Sequence, residues 1–225
     1  GGGLLDRKFI GSAGGAGSSG AVSITLDGSL VAAGAGGIGL FAQSAGADGQ
    51  GNIEVSLAQG HHIYGGHDGV AVRLSGGAAN LLTSHGTVTT AGGVTGWAVQ
   101  ADDGNTRIEN HGAMTGQVQL ARGLNRFNNH LHASFSPGAV VDLGDFENLL
   151  VSEGVLRPGD SLRAESVALN GSLVQTATGI TYAELDFGTG QVDQVLASGV
   201  VNLAGVVDVS LLNVRFIPVG WYSKV

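Results

Sequence analysis

Residues 154–211 read GVLRPGDSLRAESVALNGSLVQTATGITYAELDFGTGQVDQVLASGVVNLAGVVDVSL. Within them Tyr182-Ala183-Glu184-Leu185-Asp186-Phe187 alternates strictly, with Ala183, Leu185 and Phe187 on one face and Tyr182, Glu184 and Asp186 on the other. A period of two is the mark of a β-strand. Several runs of this kind follow one another, each closed by Gly, Asn or Asp, and nowhere in the chain does a glycine-free stretch of about ten residues keep a helical period. The stretch therefore reads as short strands joined by tight turns.

The same grammar extends upstream. Val22, Ile24 and Leu26 alternate with Ser23 and Thr25, and the pattern returns 31 residues later as Ile53, Val55 and Leu57 around Glu54 and Ser56. Turn glycines recur at Gly28, Gly60, Gly86 and Gly112, and a Gly-apolar-x-apolar step recurs at Gly39-Leu40-Phe41-Ala42, Gly69-Val70-Ala71-Val72 and Gly96-Trp97-Ala98-Val99. A third series is led by asparagine, at Asn80, Asn105, Asn125 and Asn148, with spacings of 25, 20 and 23, so the repeats are expected to shorten toward the C-terminus. Imperfect repeats of such length, made of short strands and glycine turns, predict an all-β parallel β-helix, or β-solenoid, in which each coil buries its apolar face only by stacking on its neighbours. Asparagines at one turn position are expected to form a hydrogen-bonded ladder along the stack.

Composition agrees. Of 225 residues 41 are glycine, about 18 % against a usual ~7 %, while 43 % are hydrophobic and only 12 % charged. The net charge of −8 leaves nothing to neutralise a phosphate backbone, so nucleic acid is not an expected partner. With no cysteine, disulfides and thiolate metal sites are excluded. The chain opens on Gly-Gly-Gly without Met or a signal-like segment, and is expected to be part of something larger. Three regions are expected: a Gly-rich N-terminal linker at 1–20, which includes Asp6-Arg7-Lys8; a solenoid stalk at 21–153; and a C-terminal cap at 154–225.

The order of elements from Gly154 (a Pro-Gly turn, a Leu-x-Gly-x-Leu step, an acidic strand, Val192-Asp193-Gln194-Val195-Leu196, then Gly199 to Gly205) resembles the autochaperone region that closes the passenger of bacterial autotransporters. Gly37-Ile38-Gly39-Leu40-Phe41-Ala42-Gln43-Ser44-Ala45-Gly46 separately resembles the G-I-x-A-Q-S-x-G-G repeats of large passengers of that class. The resemblance implies a right-handed helix, a parent with a signal peptide and a C-terminal outer-membrane barrel on the same polypeptide, and exposure at the bacterial cell surface. It implies a C-terminal folding nucleus, with Leu185, Phe187, Val192, Val195, Leu203, Val207 and Val209 expected on its inward face. It also implies a non-enzymatic adhesin whose partners are host extracellular matrix, a cell-surface receptor or another copy of itself, with no small-molecule substrate and no cofactor. Phe216 to Tyr222 resembles the next step of the pattern, and an exposed strand edge capable of self-pairing is expected near Tyr222.

The residues that could carry enzymatic chemistry also suit turns. Gly159-Asp160-Ser161-Leu162 spells the first block of the G-D-S-L esterases, but no histidine follows His132 to serve as base, and Pro158-Gly159-Asp160 suits a turn. Asp102 and Asp103, near Arg107 and Glu109, are the best pair for a carbohydrate-active site, the alternative function, although they too are expected in a turn with Gly104 and Asn105. Asp48 and Asp68 lie in glycine turns without the tandem register of calcium-binding repeats. Trp97 is expected in the core. Seven histidines, His61, His62, His67, His85, His111, His130 and His132, precede residue 133, and His85, His111 and His130 are expected to stack on successive coils. No carboxylate joins them at a ligand spacing in the linear sequence, so solvated turn residues rather than a metal site are expected.

Overall fold

The computed structural model describes residues 3–5, 8–10, 12, 14–161 and 164–214. Asp6 and Arg7 of the N-terminal cluster, Leu162, and the whole Phe216 to Tyr222 segment with its expected edge lie outside the described residues. Gly3–Leu5 and Lys8–Ile10 form an antiparallel pair. From Val22 onward the strands build three long sheets of 8, 9 and 7 strands, parallel throughout except for one short antiparallel return.

Each coil gives one strand to each sheet, as with Ala79–Ser84, Thr87–Thr90 and Trp97–Ala101. Down the first sheet Val22 pairs with Ile53, Ile53 with Asn80, Asn80 with Thr106, Arg107 with Arg126, Arg126 with Leu149, Leu149 with Ser172 and Leu173 with Val201. The offsets are 31, 27, 26, 19, 23, 23 and 28 residues, so coils shorten to the middle of the chain and then lengthen again. The fold is a parallel β-helix. Among the described residues no helix is long and apolar enough to cross a membrane.

One apolar column fills the interior. Val55, Leu82, Ile108, Phe127, Leu150 and Leu173 follow one another in register on the first sheet and meet Ile63, Val88, Met114, Phe135 and Leu156 from the second. Phe127 and Phe135 touch across the axis, with ring centroids 4.5 Å apart. The sheets and this core run through Gly154 without interruption.

Two polar ladders border the core along the first sheet. The asparagine ladder expected from sequence is present as Asn80, Thr106, Asn125 and Asn148, all buried; the register places Thr106 in the column and Asn105 one position before it. Asn125 Oδ1 accepts the Thr106 N–H at 2.6 Å, and Asn148 Oδ1 accepts the Asn125 N–H at 2.9 Å. At the other end of the same strands Ser84, Asn110, Asn129, Ser152 and Gln175 form a second ladder. Asn110 Nδ2 donates to Asn129 Oδ1 at 2.9 Å, and Asn129 Nδ2 donates to Ser152 Oγ at 3.2 Å and to the Val155 carbonyl at 2.8 Å. Replacing Asn129 by Ala leaves buried partners on both neighbouring coils unsatisfied, and is expected to cost ~2 kcal/mol in urea unfolding. A shift below ~0.5 kcal/mol would show that the ladder contributes little.

Glycines mark where adjacent coils come too close for a side chain. A Cβ on Gly69 would lie 2.0 Å from the Gly37 carbonyl oxygen, and Gly37, Gly69 and Gly96 form one column; Gly39 lies two residues off it. The same closeness explains the fate of the N-terminal tract. Its composition suggests a linker, yet the Ser19 N–H donates to Gly49 O at 3.0 Å, the Ala47 N–H to Gly15 O at 3.1 Å, and Ser12 exchanges hydrogen bonds with Gln43. Residues 12 and 14–20 thus dock against the first full coil.

The residues expected on the inward face of the C-terminal nucleus differ in their exposure. Val195 packs against the core and Leu185 is half-buried, but Phe187, Val192, Leu203, Val207 and Val209 are exposed, Leu203 to 60 %. Leu203, Val207 and Val209 hold the same register as Gln175, Thr181 and Ala183, and their exposure follows from lying in the last described coil, with no described coil stacked beyond it. Phe187 and Val192 sit on the hairpin by which Ile180–Asp186 turns back through Gln191–Val192, outside the stack. What that strand buries instead is Glu184 and Asp186.

Candidate functional site

The first four polar rungs of the second ladder are each followed by one outward residue: His85 after Ser84, His111 after Asn110, His130 after Asn129 and Glu153 after Ser152. The register of the rungs therefore sets the three imidazoles one above another, as the sequence suggested. His85 and His111 lie 4.6 Å apart at 10°, and His111 and His130 4.0 Å apart at 2°. His85 and His111 are exposed and His130 is half-buried.

The expectation that no carboxylate accompanies them is corrected. Glu109, two residues before His111, is only 8 % exposed, and its Oε2 lies 2.5 Å from His130 Nε2 on the next coil. The contact joins residues 21 apart across a coil boundary, so linear ligand spacing could not show it. On the other side of His130, Nδ1 lies 3.7 Å from Glu153 Oε2. Asn128 Nδ2 donates to both Glu109 oxygens at 3.0 and 3.1 Å, and Arg107 Nε donates to Oε1.

Burial alone would raise the Glu109 pKa, but hydrogen bonds from His130, Arg107 and Asn128, with the Arg107 charge, outweigh it and hold the carboxyl below the usual glutamate range. Desolvation, and then the charges that His130 and His85 would carry, push His111 below the ordinary histidine value. The cluster thus favours an ionised carboxylate beside a neutral imidazole. Nδ1 or Nε2 of His111 and His130 and a Glu109 oxygen lie within 4.8 Å of one another.

A second group of acids escaped the sequence reading. Glu184 shares a hydrogen bond with Asp193, and burial, followed by that hydrogen bond and the Asp193 charge, pushes its carboxyl up to about 7. Asp193 Oδ1 accepts the Glu165 N–H at 2.6 Å and Oδ2 the Glu184 N–H at 2.7 Å, which fastens the hairpin to the preceding coil. Nearby, the Arg157 guanidinium lies 4.3 Å from the Tyr182 ring centre. Asp186 is held low chiefly by the Asn213 amide.

The remaining candidates are placed as turn residues. Asp102 Oδ1 accepts the Gly76 N–H at 2.9 Å, while Asp103 accepts from Gln50 Nε2 at 3.0 Å and from the Gly104 N–H at 2.8 Å, so the two carboxylates face different partners. Gly159, at φ +69, donates its N–H to Pro137 O and bends the chain just before Asp160, with Ser161 in a turn. His67 pairs with the adjacent Asp68 in an exposed turn, and His62 with Ser29. Trp97 is half-buried beside Val70 and Gln117 and is not part of the core. A groove along the first sheet, lined by Ile53, Asn80, Leu81, Thr106 and Leu124, has Glu54 as its one carboxylate.

No protein-family model matches the chain, and no curated protein or solved structure matches it either.

Proposed function

We propose that this chain is a stalk segment of a bacterial autotransporter passenger, carried at the cell surface, whose C-terminal coils from about Gly154 template the stacking of those before them. The observation that carries this reading is the parallel register that runs from Val22 to Leu212, broken only by one short antiparallel return, in which the strands of each coil pair with those of the coils above and below. Such a stack grows by nearest-neighbour addition, and a nucleus at one end lets the rest follow without new nucleation. The resemblance of the Gly154 to Leu211 stretch to autochaperone regions supports that direction. The stalk would join a C-terminal outer-membrane barrel of the same polypeptide to an adhesive surface contacting host matrix, a host receptor or a sister cell.

A carbohydrate-active role is the weaker reading. Glycoside hydrolysis requires two carboxyl groups roughly 5 to 9 Å apart beside a groove. The first-sheet groove offers one, and Glu184 and Asp193 are close enough to share a hydrogen bond. The stalk reading is tested by Leu173→Asp in the full-length parent, since Leu173 is buried in the coil that the terminal strands stack on. Surface display is expected to fall to background; display at the unmodified level would sink the proposal.

A further inference from the structure

We propose that Glu109, His111 and His130 form a binding site for a divalent transition metal ion of the zinc class. Two imidazoles and one carboxylate are a donor set that such ions accept with a fourth position left for water. The donor atoms already lie within 4.8 Å of one another. Tetrahedral coordination at ~2.0–2.1 Å needs ligands about 3.3 Å apart, so the three donors would close in on the ion from their present separation. Hard cations such as calcium need six or more oxygens, and here one carboxylate stands among nitrogens.

The surroundings match what a metal site requires of its second layer. The Asn128 amide holds both oxygens of Glu109, and the Arg107 guanidinium braces one of them. His130 Nδ1 lies 3.7 Å from Glu153 Oε2, so a small approach of that carboxylate would supply the carboxylate–histidine–metal pairing that fixes ring orientation and raises ligand basicity. His111 is exposed, which gives an ion an entry path, and His85 stacks on its far side. Glu109 and His111 belong to one coil and His130 to the next, so the ion would clip two adjacent coils together.

The test is calorimetric titration of the tag-free, chelator-stripped chain with zinc chloride, paired with cobalt(II) absorption spectroscopy. One zinc per chain is expected with a dissociation constant of ~10⁻⁶ M or tighter, and cobalt is expected to give the intense visible bands of a tetrahedral site. H111A, on an exposed side chain, should keep its circular dichroism and bind zinc at least ~10-fold more weakly; E109Q should do the same. H67A, in a remote exposed turn, should bind as the parent chain does. No zinc binding by the folded chain, or binding that H111A and E109Q leave intact, overturns the proposal.

Discussion

Phe127→Ala is expected to destabilise the solenoid by ~4 kcal/mol, the middle of the range for removal of a buried aromatic. Phe127 is fully buried, lies in register between Ile108 and Leu150, and meets Phe135 at 4.5 Å. It sits in the shortest part of the stack, where Arg107 pairs with Arg126 at an offset of 19, so a single ring fills much of the cross-section. Relaxation around the cavity is limited because three hydrogen-bonded ladders fix the coil spacing near ~4.8 Å. The loss should also weaken coupling between the coils on either side, so urea unfolding should broaden or separate into two steps. A single transition at the unmodified midpoint would contradict this account of the core.

Raising the pH is expected to loosen the C-terminal coils, and Glu184→Gln to abolish the effect. Folding lifts the Glu184 carboxyl from its ordinary 4.5 to about 7, so the folded chain holds a proton that the unfolded chain releases. Stability from the neutral carboxyl is therefore complete below about pH 4.5 and is lost as pH rises through 7. At ~1.4 kcal/mol per unit the full loss approaches ~3 kcal/mol. A glutamine at position 184 supplies a permanent donor to Asp193 with nearly the same shape. The variant should be more stable than the parent at pH 9, similar at pH 5, and flat between them in thermal melts. Hydrogen exchange at the Glu165 and Glu184 amides, both bonded to Asp193, should localise the change. Equal pH slopes for both chains would remove Glu184 as the cause.

Much of the architecture was legible because a solenoid writes its geometry as periodicity. The Val22, Ile24, Leu26 pattern and its return at Ile53 gave the true register of the first two coils. The asparagine column and the three stacked histidines were visible for the same reason. What could not be read is what depends on sums over unequal coils. Asn105 looks like a ladder residue until the register shows Thr106 in its place, and Gly39 looks aligned with Gly69 although Gly37 is. Glu109 reaches His130 because the register sets Asn128 against Glu109 and His130 two positions further on, which only the coil-to-coil pairing reveals. The alternation at Glu184-Leu185-Asp186 indicated a strand, but a hairpin covers the face that a two-residue period assigns to solvent. The Gly/Ser/Ala tract misled in the opposite direction, since the small residues that make a linker flexible also permit the closest coil contact.

The direction of the ladders has a mechanical consequence. In all three sheets the hydrogen bonds between coils run along the long axis, and no strand spans more than one coil. A pull on a chain end along that axis therefore opens the end coil first, because that coil is held on one side only, while the coils behind it keep partners on both sides. Bending meets all three ladders together, because one wall must stretch as the others compress. A stack built this way is stiff against sideways drag and, when pulled too hard, lengthens in steps of one coil before it fails.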